Sequence, residues 1–337
     1  MKKNALIGLL CVCCAFAQSQ QPALKKRLAG DPLAHLPENI EVLTSFGERP
    51  DISPDGRQVA FMAKTFGDAM VMDIRTHSIS CLTCNIPAAA FVRVMHLPNG
   101  DYLLIGPDHF EDPVASKKNN DLWYLSKTPG AKPVKIGPKV NEGVAISKKD
   151  LRLAYTETGP GKLTRLVVAG LEVSAGAAKL VHPQTVLEHT DTSCTLEAQD
   201  FYDNDRKLIH FCYVPNGAFE VRGLDLQTGQ VTNHSQSPGF NEPEGIFPGG
   251  QSIAVESDRQ CEWLGGQRGS SNIDIWKLKL DGTGKDFVRL THFNDYEGGK
   301  AANPVVSGDG RFMAFQVARS TDPPGMGHGI VVYWFKK

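Results

Sequence analysis

Apolar residues in this chain fall in short alternating runs, each ended by a tight cluster of Ser, Pro, Asp, Asn and Gly. Alternation over a few residues between turn formers marks half-buried strands. The clearest units are Ser53-Pro54-Asp55-Gly56 followed by Val59-Ala60-Phe61, and Ser307-Gly308-Asp309-Gly310 followed by Phe312-Met313-Ala314-Phe315. Weaker copies stand at Leu97-Pro98-Asn99-Gly100, Ser147-Lys148-Lys149-Asp150, Tyr202 to Asp205, and Phe247-Pro248-Gly249-Gly250. These turns end at residues 56, 100, 150, 205, 250 and 310, with spacings of 44, 50, 55, 45 and 60. A strand-patterned period of roughly 40–50 residues predicts propeller blades of four antiparallel strands. Within the turns, Asp55, Gly56, Asp309 and Gly310 read as turn chemistry, not as a site.

The first unit shows the whole pattern: Asp51-Ile52 before the turn, then strands at Gln58–Ala63, Ala69–Ile74 and Ile79–Thr83. Third strands of the same kind appear at Asp121–Leu125 and Asp274–Leu278, and Val288–Thr291 closes the fifth unit. The third unit is the least regular, and Leu171–Leu180 reads poorly as strand. The last unit has a third strand at Gly329–Phe335 and then no fourth. Ile40–Thr44 resembles a fourth strand and precedes the first unit. Pairing it onto the C-terminal unit hides two sheet edges at once. The expectation is therefore an all-β chain, a six-bladed β-propeller over residues 39–337, closed by a segment near residues 39–46 and monomeric.

Lys2 and Lys3, the apolar run Ala5–Phe16 and the small-x-small site Ala15-Phe16-Ala17 read as a secretory signal over residues 1–17, leaving 18–38 as an extension. Periplasmic or secreted localisation follows, and no other stretch is apolar enough to span a bilayer. Export permits disulfides. Cys194 and Cys212 flank the fourth turn in positions that suit a bridge across a hairpin. Cys81 and Cys84 read as a tight local bridge or two unpaired thiols, since zinc needs a second close pair. Cys261 is left over. With 36 basic against 37 acidic residues and neither sign in blocks, nucleic acid has no electrostatic footprint to bind.

The turn motif and the Leu-Thr ends of the units resemble Tol-B-type propeller repeats over about residues 40–336, most closely in the first, fifth and sixth units. The resemblance implies the fold and an exported protein; such repeats leave function open. Propellers of prolyl-oligopeptidase-type peptidases share it, but no Gly-x-Ser-x-Gly elbow follows here. Oligogalacturonate lyases, to which the chain is distantly similar, hold a metal with His and Gln; no such cluster aligns residue by residue. The Tol-B protein carries a further N-terminal domain, for which the short stretch ahead of the propeller leaves no room.

On a propeller the first-to-second hairpins lie on one face and the inter-blade connections on the other. The second face collects Glu242, Glu244, Glu256, Asp258, Arg259, His292, Asp295, Glu297, Lys300, Asn303 and His328. Clefts with several titratable groups are where binding or acid–base chemistry concentrates. Each has a plain alternative: an ion-pair ladder for Glu256, Asp258 and Arg259, a strand cap for His292, solvation for Glu242 and Glu244. Two functions fit. One is an exported module binding a glycan, peptide or protein. The other is a saccharide-active lyase or hydrolase, with Glu244, Asp258 and His292 as catalytic candidates. In it Arg259 and Lys300 hold a substrate carboxylate, and His292 and His328 hold a divalent metal or relay a proton.

Overall fold

The turns form as the residues dictate. Ser53 Oγ donates to Asp55 Oδ1 at 2.7 Å and accepts the Gln58 N–H, while Gly56 takes a φ of 68°. Ser307 and Asp309 repeat the contact at 2.8 Å, and Gly310 has a φ of 69°. Only glycine adopts that left-handed turn position without strain.

The computed structural model describes residues 24–159, 163–190, 194–214 and 218–336; the signal-peptide reading of 1–17 lies outside the described residues. After β1 (Ile40–Val42), a first sheet pairs β2 (Glu48–Ile52), β3 (Gln58–Met62), β4 (Ala69–Asp73) and β5 (Ile79–Cys81) in order. A seven-stranded sheet then runs through β6 (Arg93–His96), β7 (Tyr102–Pro107), β8 (Asn120–Leu125), β9 (Val134–Ile146), β10 (Arg152–Thr158), β11 (Thr164–Ser174) and β12 (Ala177–His189). Two four-stranded sheets follow. One is β13 (Thr195–Tyr202), β14 (Lys207–Tyr213), β15 (Arg222–Asp225) and β16 (Val231–Asn233). The other is β17 (Asn241–Ile246), β18 (Ser252–Ser257), β19 (Asp274–Lys279) and β20 (Phe287–Arg289). The last sheet holds β21 (Gly299–Val306), β22 (Phe312–Arg319) and β23 (Ile330–Trp334), and β1 completes it.

That completion is the closure expected from the sequence. Ile40, Glu41 and Val42 lie opposite Tyr333, Val332 and Val331 in antiparallel register. Trp334 Nε1 donates to Glu41 Oε2 at 3.1 Å, and the Ile330 N–H donates to Thr44 Oγ1 at 3.0 Å. The preceding segment is also anchored. Leu28 bridges to Tyr296, and the Arg27 guanidinium donates to the carbonyls of Leu264, Gly265 and Asn294.

Separate four-stranded sheets do not form throughout. Strand β9 is 13 residues long and pairs with β8 at its start and β10 at its end, with Val140 opposite both Asn120 and Glu157. The Gly137-Pro138 pair, a turn signal in sequence, is absorbed by a register shift against β8. Proline at a bulge removes no ladder bond, so the strand continues. The irregular stretch Leu171–Leu180 is a long hairpin turning at Ala175-Gly176, with Leu171 opposite Leu180 and both packed on the core beneath.

The small sheets are arranged as in a propeller. Strand β2 packs against β6 and β21, β13 against β9 and β17, and β17 against β21. The first strand of each unit thus faces a common axis. The apolar core is divided among the seams between sheets: Val59 and Phe61 with Phe312 and Val332, Leu196 and Leu208 with Ala154 and Leu166, Ala254 and Ile275 with Met313 and Phe315. Cys81 and Cys84 are disulfide-bonded, as are Cys194 and Cys212, and Cys261 is a free, buried thiol.

Candidate functional site

The strands around the axis are not regular. Register shifts fall near the start of β2, within β13, β17 and β21, and where β10 meets β9. Two of them hold non-glycine residues at positive φ, Arg49 at 52° and Asn303 at 50°. Such positions cost on the order of 1 kcal/mol and persist where surrounding contacts over-determine them. Bulges re-aim side chains, and here they turn charged ones toward the axis.

The result is a cavity of about 720 Å³ at the end of the channel opposite the Ser-Pro-Asp-Gly turns. One side carries cations. Arg49 donates to the Val92 carbonyl at 2.7 Å and to Glu142 Oε2 at 2.6 Å, and Lys117 Nζ lies 3.4 Å from Glu142 Oε1. Arg93 stands beside them. The other side carries Glu197, Glu242 and Glu256, with Glu244 one level deeper. Glu256 accepts the Asn303 N–H, and Glu244 accepts from Asn303 Nδ2 at 3.3 Å. The approach of β9 to β13 needs a glycine: a Cβ at Gly143 would lie 2.6 Å from the Ala198 carbonyl oxygen. Behind the glutamates is an aromatic wall in which the Phe219 ring lies 4.7 Å from Phe240 and 5.0 Å from Tyr213.

Enclosure shapes the charges. Burial, with Glu142 adding to it, pushes Glu197 up to about 7. Burial pushes Glu244 up to about 8 against the pull of Arg93. Glu242 is raised well above the usual carboxylate range by burial and then by Glu256 and Glu244, and burial also raises Glu256. Glu142 goes the other way: burial opposes its charge, but Arg49 and Lys117 overcome it. Lys300 is only 2% exposed, and burial lowers its pKa; among the described residues its ammonium has no hydrogen-bond or ion-pair partner.

Of the residues picked out in sequence, Glu242, Glu256, Lys300 and Asn303 line this cavity, and Glu244 lines the space beneath it. Others do not join them. Asp258 is fully buried outside the cavity, accepting from the Gly269 N–H at 2.8 Å, Arg268 Nη1 at 3.1 Å and the Phe240 N–H at 3.2 Å. It pins loops. Asp258→Ala should therefore lower stability by about 2 kcal/mol, because it orphans the N–H groups of Phe240 and Gly269, while the half-exposed Arg268 keeps water and Glu262; a thermal melt equal to wild type would contradict this role. Arg259 stacks 4.0 Å over the Phe287 ring and donates to Ser237 Oγ. His292 contacts Asp295 at 3.2 Å in an outer cavity beside Trp263, and Arg289 also holds Asp295 at 2.8 Å. His328, 2.9 Å from Asp322, and Glu297 line yet another cavity.

Among the described residues lining the mouth there is neither histidine nor cysteine. One trio of His, Cys, Asp or Glu brings its ligand atoms within 4.8 Å of one another among the described residues, Asp68 with Cys81 and Cys84, and those sulfurs are bonded to each other. The residues missed in sequence are Arg49, Arg93, Glu142 and Glu197. A signal existed. Glu142, Glu197 and Glu242 each precede the first residue of their turn by five positions, and Arg49, Arg93 and Asn303 precede theirs by four.

No protein-family model matches the sequence, and no curated protein matches it either. Solved structures do. A putative TolB from Agrobacterium tumefaciens is similar at 15% identity over 80% of this chain and 98% of that one, with a TM-score of 0.56. A chain of the mitotic checkpoint complex aligns at 9% identity over 94% of this chain and 99% of its own, with a TM-score of 0.54. The RRP9 WD40 repeats align at 10% identity over 92% and 100%, with a TM-score of 0.51. The chain thus has a TolB-like, WD40-like propeller fold, and at these identities the likeness speaks to fold alone.

Proposed function

We propose that this protein is an exported six-bladed propeller that binds a polar ligand, a glycan, peptide or protein segment, in the mouth of its central channel. Six first strands circle the axis in this reading, with β9 ending one blade and starting the next. Two disulfides support passage through an oxidising compartment, where such bonds persist. Among the described residues no helix is long and apolar enough to cross a membrane.

One observation carries the binding reading: the ammonium of Lys300, nearly buried and without a partner, lines a cavity large enough for a ligand. Glu256 and Glu242 attract this ammonium without a direct bond, which leaves its three N–H donors to a ligand in the cavity. The test is to screen glycan and peptide arrays with wild type and with Lys300→Met. A ligand whose binding falls at least about tenfold in the variant supports the reading; ligands that bind both equally place the site elsewhere.

A second reading, catalysis on a saccharide, draws on the carboxyl groups of Glu197 and Glu244, poised near 7 and 8. Values near neutrality suit general acid–base work. Incubation with acidic oligosaccharides, followed by the absorbance of unsaturated products, distinguishes lyase action from binding alone.

A further inference from the structure

Two cavities of unlike chemistry adjoin on the channel face. The mouth sets Glu197, Glu242 and Glu256 against the wall of Tyr213, Phe219 and Phe240. Beside it lies a second cavity of about 590 Å³, lined by Phe66, Ala89, Phe110, Pro113 and Met326; Lys117 and Pro324 border both. Phe110 and Met326 are large apolar side chains left 39% and 38% exposed. Acidic groups against aromatic faces suit an alkyl-ammonium or guanidinium, whose stem packs on the rings while its head meets carboxylates. Glu48, Lys64 and Thr65 also line the neighbouring cavity, but Glu48 is taken up by Thr65 and the Gly327 N–H, and the apolar remainder suits a hydrocarbon side chain. The unpartnered Lys300 ammonium needs an acceptor, which a backbone carbonyl supplies.

We propose that the mouth binds an extended peptide, its lysine or arginine side chain set among the glutamates of β13, β17 and β18, its backbone carbonyl facing Lys300, and an apolar side chain in the Phe66–Phe110–Met326 cavity. This rests on the mouth being a ligand site at all, and it names the ligand's chemistry. Binding a cation there draws the raised glutamates into their charged forms, so protons leave as the peptide arrives. The groups facing that space are Glu142, Glu197, Glu242, Glu244 and Glu256, with the cations Arg49, Arg93, Lys117, Lys118 and Lys300. With Glu197 at about 7 and Glu244 at about 8, affinity rises with pH across that interval.

The experiment uses the full protein and short fluorescent peptides blocked at both ends, in pools fixed with lysine, norleucine or glutamate at one position, read by anisotropy. The lysine pools should bind about tenfold tighter than the norleucine pools. Glu242→Gln with Glu244→Gln should erase that difference, whereas Met326→Ser should erase only a preference for leucine or phenylalanine at another position. Glutamate pools binding as tightly as lysine pools, or a lysine preference that survives both Gln substitutions, overturns the proposal. Should a glycan bind at the mouth and no peptide do so, the peptide inference falls while the mouth remains a ligand site. If no ligand of any class responds to mouth substitutions, both readings fall together.

Discussion

Removing the chain through Thr44 should lower the melting temperature by on the order of 10 °C and replace one cooperative transition with a broad, aggregation-prone one. The truncation uncovers the outer edge of β23, whose Val331–Tyr333 backbone pairs with Ile40–Val42. It also strips Leu43 from the apolar cluster containing Phe61, Ile330 and Val332. The Trp334 indole loses its acceptor on Glu41, and the Ile330 N–H loses Thr44 Oγ1. A control truncated through Glu38 keeps all of these and removes only the strap that Arg27 anchors, so it should melt much closer to the full chain. Calorimetry and limited proteolysis of the two truncations check the claim; equal resistance in both would refute it.

The second large effect separates stability from function. Glu242→Gln with Glu244→Gln should raise the melting temperature at pH 8 by about 5 °C while erasing the preference for a lysine side chain at the mouth. In the folded chain Glu244 gives up its proton only near pH 8, against an ordinary value of 4.5. Between those values the folded state holds a proton that the unfolded chain has lost, so stability falls as pH rises through the interval. Below it both states are protonated and the effect vanishes. Each such group contributes up to roughly 1.4 kcal/mol per pH unit. Glutamine keeps the shape, still accepts from Asn303, and has no proton to lose. Melting curves from about pH 5 to about 9 should show the wild-type slope flattened in the variant. A parallel slope would mean the two carboxyl groups are not the ones resisting ionisation.

Closure and turns were legible because each has a local code. Ser53 and Asp55 bond within their own turn, and Ile40–Val42 carries the same pattern as the strands that end other units. The channel was only half legible. Glu242, Glu244, Lys300 and Asn303 stood out because they lie in polar-rich stretches. Arg49, Arg93, Glu142 and Glu197 sit within strands, where alternation assigns a polar residue to solvent. Their sharing of one axis depends on how the sheets close, which no single strand records. Asp258 and His292 misled for the opposite reason. A charged loop looks the same in sequence whether it meets a ligand or, like Asp258, is consumed by neighbouring N–H groups. The merged sheet has no local mark: β9 runs on through Gly137-Pro138, residues that ordinarily interrupt a strand, by taking them up as a bulge.

Strand β9 welds two neighbours in the ring. Elsewhere adjacent sheets meet through side chains; there a single strand, bulged against both neighbours, joins one sheet to the next. Glu142 lies on that weld, and Arg93 is borne by the same plate of strands. A bulky guest would find Arg93 and Glu142 held on one plate, whereas Arg49, Glu197 and Glu242 each stand on a separate sheet.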